Sequence, residues 1–66
     1  MKTRLKEFRE KAGLTQEQLG DSVGVTRQTI LFLEKSQYNP SLRLVLKIAK
    51  LLNAPVEVLF SIDDEI

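Results

Sequence analysis

Two helix starts stand close together in "LTQEQLGDSVGVTRQTI", and no other feature of the chain narrows its fold as much. "TQEQ" fits a capping box, in which the Thr15 hydroxyl accepts the Gln18 amide and the Gln18 side chain reaches back. Leu14 and Leu19 flank it as a hydrophobic staple. Thr26 has the N-cap residue type, and Val25 with Ile30 repeats the staple. The first of these helices must therefore be short, ending near Val23, and the chain must turn around Gly24. Glycine there supplies a positive φ that a residue with a Cβ resists. Gly20 falls where the second helix passes close, so a small residue is needed. Leu19, Val23, Val25, Ile30 and Leu33 then bury the inside of the angle.

A short turn containing glycine between two short helices is the helix-turn-helix arrangement. The rest of the chain reads as helical around it. A first helix is expected from about Arg4 to Ala12, with Thr3 as candidate N-cap and Leu5, Phe8 and Ala12 facing inward. Gly13 ends it. The third helix starts after Thr26 and runs to about Lys35. "SQYNPS" makes a loop, because Pro40 disfavours helix at Asn39. Ser41 caps a fourth helix, Leu42 to Leu52, with Leu42, Val45, Ile48, Ala49 and Leu52 inward. A short fifth helix follows Pro55, from about Val56 to Phe60. No period-2 pattern marks a strand. The expected fold is all-α, a compact bundle of five helices.

At 66 residues the chain is one domain with a small core. It holds neither cysteine nor histidine. These absences exclude disulfides and thiolate metal sites, and most nucleophilic, imidazole-based and zinc-based chemistry. "MKTRLKEFREK" is charged throughout and leads into no apolar stretch of signal-peptide type, so a cytoplasmic protein with no membrane segment is expected. Net charge is +1, but residues 1–62 carry all ten Lys and Arg against six acids (Glu7, Glu10, Glu17, Asp21, Glu34, Glu57), which leaves +4. Asp63, Asp64 and Glu65 form a terminal acidic cluster that masks this basic body. A tail of this kind cannot hold catalytic geometry, and no metal-ligand spacing is present. No enzyme activity, cofactor or metal is expected.

Residues 15–35, "TQEQLGDSVGVTRQTILFLEK", resemble the helix-turn-helix of the phage repressor and Cro-like family, also called the XRE family. The small-residue position, the turn glycine and the apolar positions all match. The likeness continues through "LKEFREKAGLTQ", "YNPSLRLVLKIAKLL" and "VEVLF". The resemblance implies a lambda-repressor-like five-helix domain that dimerises and lays its third helix in the major groove of double-stranded DNA. Residues 1–61 are read as that domain, with the motif over 16–35 and the recognition helix over about 27–35, and 62–66 as a short acidic tail. The resemblance also implies an ion pair between Arg9 and Glu34, a scaffold contact between helices 1 and 3. No small-molecule effector domain is expected.

Four apolar residues in a row, Ile30 to Leu33, raise a problem for the third helix. At about 100° per residue they cannot all face one core. If Ile30 and Leu33 point inward, Leu31 and Phe32 lie about 130° away on opposite sides, with Gln28 and Lys35 opposite the core. Gln28, Leu31, Phe32 and Lys35 thus share an outward face, with Arg27 at its edge. Gln28 suits bidentate pairing with adenine, and Arg27 suits guanine or a phosphate. Three destinations are open to Leu31 and Phe32: thymine methyl groups in the groove, another protein surface, or burial. The position of Phe32 usually holds a base-contacting, often polar residue in the family, so Phe is a departure.

Gln16 opens the second helix, where free amides favour a phosphate, and the resemblance assigns it that use. Thr15 and Thr26 are caps first, with phosphate contact as a second use. By the same resemblance the loop donors Lys35, Gln37, Tyr38, Asn39 and Ser41 grip the sugar-phosphate backbone, which fixes register without reading sequence. Ser36 stands where the family usually has a glycine in left-handed conformation. Leu59, Phe60, Ile62 and Ile66 exceed what a short terminal helix can bury, and are expected at a homodimer interface. Two recognition helices about 34 Å apart would then read a near-palindromic site.

The expected function is a sequence-specific, dimeric transcriptional regulator, a repressor or autoregulator. The alternative is a protein-interaction module, such as an antitoxin or adaptor, acting through Leu31, Phe32 and the C-terminal apolar surface. A nonspecific DNA binder fits less well, since nonspecific affinity is nearly all phosphate electrostatics and the body charge is modest.

Overall fold

The computed structural model describes residues 2–61. The elements, in chain order, are β1 (Lys2–Thr3), α1 (Leu5–Lys11), α2 (Gln16–Val23), α3 (Arg27–Glu34), α4 (Leu42–Leu52), α5 (Val56–Leu59) and β2 (Phe60–Ser61). The fold is a five-helix bundle with a small two-stranded sheet joining its ends.

Local chemistry explains the helix starts. The capping box of α2 is complete: the Gln18 amide donates to Thr15 Oγ1 at 3.0 Å and the Thr15 amide to Gln18 Oε1 at 2.9 Å. Thr26 Oγ1 accepts the Thr29 amide at 3.2 Å, and Ser41 Oγ accepts the Leu44 amide at 3.1 Å. Each cap satisfies one amide that the first helical turn leaves without a partner, worth about 1 kcal/mol.

Tight packing of α2 against α3 depends on Gly20. A Cβ built there would stand 2.7 Å from the Val25 carbonyl oxygen and 3.2 Å from the Thr26 carbonyl, both fixed backbone. Gly24 ends α2 at φ 82°, and the Val25 amide bonds back to the Gly20 carbonyl at 2.9 Å. The turn is thus closed from both sides, and α3 leaves it at a set angle. Leu5, Leu19, Ile30, Leu33, Ile48 and Leu59 are wholly buried where the helices meet. At roughly 1.5–3 kcal/mol per buried side chain, these six dominate the core. Val25, Phe8 and Leu14 pack around them, half-exposed.

Several expectations require correction. The helix α1 begins one residue later and ends one earlier than read. Arg4 is its N-cap and makes no side-chain cap bond, while Thr3 lies in β1 and its hydroxyl accepts the Leu5 amide at 3.0 Å. Ala12 is exposed rather than inward, because it follows the last helical residue. Leu42 is 71% exposed. It opens α4 roughly 110° around the axis from the Leu44–Val45–Ile48 stripe, so it cannot join it. The strands went unread because each spans two residues, paired antiparallel as Lys2 with Ser61 and Thr3 with Phe60, too short to show alternation.

The apolar C-terminal end also differs from expectation. Leu59 is wholly buried and Phe60 nearly so, inside the core of this one chain. The sheet brings the two ends of the domain together, with the Arg4 amide donating to the Leu59 carbonyl at 2.9 Å. That closure covers both side chains, so neither forms part of an exposed apolar patch. Ile62 and Ile66, expected beside them, lie outside the described residues.

Candidate nucleic-acid interface

The inward edge of α3 is settled by Ile30 and Leu33, both wholly buried. Helical geometry then fixes what faces out. Arg27, Gln28 and Lys35 are exposed, Phe32 is 36% exposed and Leu31 is half-buried. Leu31 is not among the apolar side chains packed against the core. The structure therefore brings Arg27, Gln28, Leu31 and Phe32 to one solvent-facing side of α3, and neither apolar residue is absorbed by the interior.

Glu34 closes the other end of α3. Its side chain is 5% exposed and accepts three hydrogen bonds from two residues on two other helices. Arg9 Nε donates to Oε2, and Arg9 Nη2 donates to Oε1 at 3.4 Å. Gln16 Nε2 donates to Oε1 at 3.1 Å. Arg9 Nη1 also donates to the Leu14 carbonyl at 2.7 Å. The Arg9–Glu34 pair implied by the resemblance is thus present, and it ties α1, the start of α2 and the end of α3 together. No buried side-chain polar atom among the described residues lacks a partner. Gln16, assigned to phosphate, has one amide hydrogen committed to Glu34; its second amide hydrogen and its carbonyl remain. Sequence spacing held no signal for that bond.

Beyond Glu34 the chain turns sharply. Ser36 takes φ 58°, its amide donates to the Leu33 carbonyl at 3.0 Å, and the Gln37 amide donates to the Phe32 carbonyl at 2.8 Å. This pair of bonds is the Schellman ending, built here on serine in place of glycine. The loop accordingly keeps the left-handed path expected of the family. Lys35, Gln37, Tyr38 and Asn39 follow as exposed residues, and Ser41 is exposed while capping α4. Thr15 and Thr26 are likewise exposed, with their hydroxyl lone pairs engaged as caps.

Charge is distributed unevenly. Among the described residues, the salt bridges join Arg4 to Glu7 at 2.9 Å, Lys11 to Glu7 at 3.3 Å, and Arg9 to Glu34 and, at 4.0 Å, to Glu10. All of these cations belong to α1 or its cap. Hydrogen bonds from Arg4 and then Lys11 hold the Glu7 carboxyl below the usual glutamate range, and the same bond pushes Arg4 up. Arg27, Lys35, Arg43 and Lys47 have no carboxylate partner among the described residues. Sequence reading passed over Arg43 and Lys47; their spacing of four on a helix without a single acid was the available signal.

A helix-turn-helix whose second helix turns a polar and apolar side to solvent, beside cations left without carboxylate partners, defines the DNA-binding class. Comparison with known proteins agrees. A helix-turn-helix family profile matches residues 5–59. An uncharacterized HTH-type transcriptional regulator of Archaeoglobus fulgidus is 62% identical over 65 residues, covering 98% of this chain and 93% of that one. Among solved structures, the P22 c2 repressor in complex with synthetic operator 9T superposes with TM-score 0.78 at 30% identity, covering 82% of each chain. The restriction-modification controller protein C.AhdI from Aeromonas hydrophila superposes with TM-score 0.77 at 38% identity, covering 86% of each. The chain belongs to the XRE-type helix-turn-helix family of DNA-binding transcriptional regulators, which is not a class of enzymes. No helix among the described residues is long and apolar enough to cross a membrane.

Proposed function

We propose that the chain is a sequence-specific regulator, a repressor or autoregulator, that reads a near-palindromic operator as a homodimer with α3 in the major groove. One observation carries this reading: the outward side of α3 offers Arg27, Gln28, Leu31 and Phe32 together, while its other edge is sealed into the core. Gln28 pairs with adenine and Arg27 with guanine or a backbone phosphate, and Leu31 and Phe32 cover thymine methyl groups. Thr15, Gln16, Thr26, Lys35, Gln37, Tyr38, Asn39 and Ser41 hold the flanking phosphates and so set register. Gln16 does this with the amide hydrogen that Glu34 leaves free.

Dimerism follows from how little one helix can read. A single eight-residue helix offers a few base contacts, each worth about 1–3 kcal/mol of discrimination. Doubling them by two-fold symmetry brings specificity into the range a regulator needs. The subunit contact is proposed at the C-terminal end, through the outer edge of β2, Ile62 and Ile66, since Leu59 and Phe60 are used by the core.

Selection of bound duplexes from a random pool at near-physiological salt tests the proposal. Enrichment of an inverted repeat is expected; recovery of single half-sites would remove the dimer, and no enrichment would remove sequence-specific reading. A protein-interaction role is favoured by one different observation, the exposed Leu42 and Leu46 on α4, at 71% and 53%. It predicts that Gln28→Ala leaves duplex binding unchanged.

A further inference from the structure

The α4 helix carries Arg43, Lys47 and Lys50 and no acidic residue over its whole length. Arg43 and Lys47 lie one helical turn apart, both exposed, with no carboxylate partner among the described residues. Together with Ser41 and Leu44 they face Val23, Gly24 and Val25 across a cleft of about 160 Å³. One wall is therefore the turn of the helix-turn-helix itself. The residues immediately after that wall are Thr26 and Arg27, which begin α3.

We infer that this cleft is a docking site for a backbone phosphate of the duplex, held by Arg43 and Lys47 near the start of α3, whereas the Gln16–Glu34 contact lies at its end. The inference rests on the DNA-reading role proposed above and extends it to residues outside the motif. Two cations one turn apart, uncompensated by a local carboxylate, repel each other, and that cost is relieved when an anion lies between them. The anion must be one that arrives together with the ligand of α3, because the cleft borders the first turn of that helix. A duplex lying along α3 supplies phosphates at regular intervals on both sides of the groove. The Ser41 hydroxyl is engaged as acceptor for the Leu44 amide, and its own hydrogen is available to a phosphate oxygen. The Val25 amide is already bonded to Gly20, so the turn contributes shape and the side chains contribute the donors.

Such a contact positions without reading. Arg43→Gln and Lys47→Gln are each expected to weaken the enriched duplex and a scrambled duplex by the same factor. The double variant should lower the slope of log affinity against log salt by about 0.9, the value for one phosphate neutralised, and each single variant by part of that. Arg43→Lys should restore most of the slope. Base preference and thermal midpoint should stay as in the unaltered chain, because both side chains are exposed. A double variant with an unchanged slope overturns the inference, as does a change in base preference with the slope intact. Gln28→Ala separates this outcome from failure of the underlying reading: it should lose base preference and keep the slope. Should the unaltered chain bind neither duplex with a salt-dependent affinity, both the inference and the DNA-reading role fall together.

Discussion

The first and third helices are built alike and used differently. Each is short, each buries an apolar stripe, and each carries a phenylalanine, Phe8 beside that stripe and Phe32 on the outward side. Phe8 on α1 packs partly against the core, and its ring is covered by the Arg4 guanidinium at 5.2 Å and the Lys11 ammonium at 5.4 Å. Both cations are held in turn by Glu7. The corresponding Phe32 on α3 has no cation over it among the described residues, and Arg27 and Lys35 nearby have no carboxylate. Around Phe8, α1 satisfies both its neighbouring cations and its aromatic ring locally. The α3 helix leaves both open, and an open aromatic beside open cations is poorly suited to water and well suited to a polyanion with apolar groups in its groove. Glu34 and Arg9 hold the two helices in one frame.

The largest effect is expected where that frame is cut. Glu34→Ala leaves Arg9 buried without its carboxylate and should cost about 3–5 kcal/mol. That is comparable to the whole stability of a domain this small, so chemical denaturation should show a largely unfolded variant at neutral pH. Gly20→Ala comes next. Its methyl group meets the Val25 carbonyl and forces α2 from α3, at about 1–3 kcal/mol by the same measurement. A comparison of phenylalanines is sharper still. Phe8→Ala should lower stability by more than 1 kcal/mol, as expected for a side chain packed on the core. Phe32→Ala should lower it by clearly less than Phe8→Ala does, since Phe32 lies outside the core cluster, while weakening binding to the enriched duplex; equal losses of stability in the two variants would erase the contrast.

The smallest effect belongs to the surface of α1. The folded state binds fewer protons at Glu7 than the unfolded chain, because Arg4 and Lys11 hold its carboxyl low. Its contribution is therefore present above the ordinary glutamate value of about 4.5 and lost as pH falls through the lower folded value. Glu7→Gln should flatten slightly the acid limb of stability against pH. Added salt should shrink the difference, since the pair is exposed.

What could be read from sequence alone follows the range of the interaction. The starts of α2, α3 and α4 were legible because a cap involves only neighbours: Thr15 with Gln18, Thr26 with Thr29, Ser41 with Leu44. Gly20 was legible because the size of a side chain and its place in a tight angle are linked. Contacts between distant residues were not legible. Nothing local tells Gln16 that it will meet Glu34, or Phe60 that β2 will fold back on Thr3. Two-residue strands carry no period, and their pairing is what moved Leu59 and Phe60 from an expected surface into the core. Leu42 misled because it is apolar at the first position of a strongly amphipathic helix, just outside the arc that faces inward. The outward side of α3 was readable because four apolar residues in succession cannot all be buried on one helix.

The central claim is that this outward side reads base edges, and Gln28 tests it most directly. Affinities of the unaltered chain and Gln28→Ala should be measured, at one fixed salt concentration, for the enriched duplex and for duplexes changed one base pair at a time. The account predicts a loss of about 1–3 kcal/mol on the enriched duplex, confined to one position of each half-site where base preference disappears. Equal affinities of the two proteins across the whole series would contradict it.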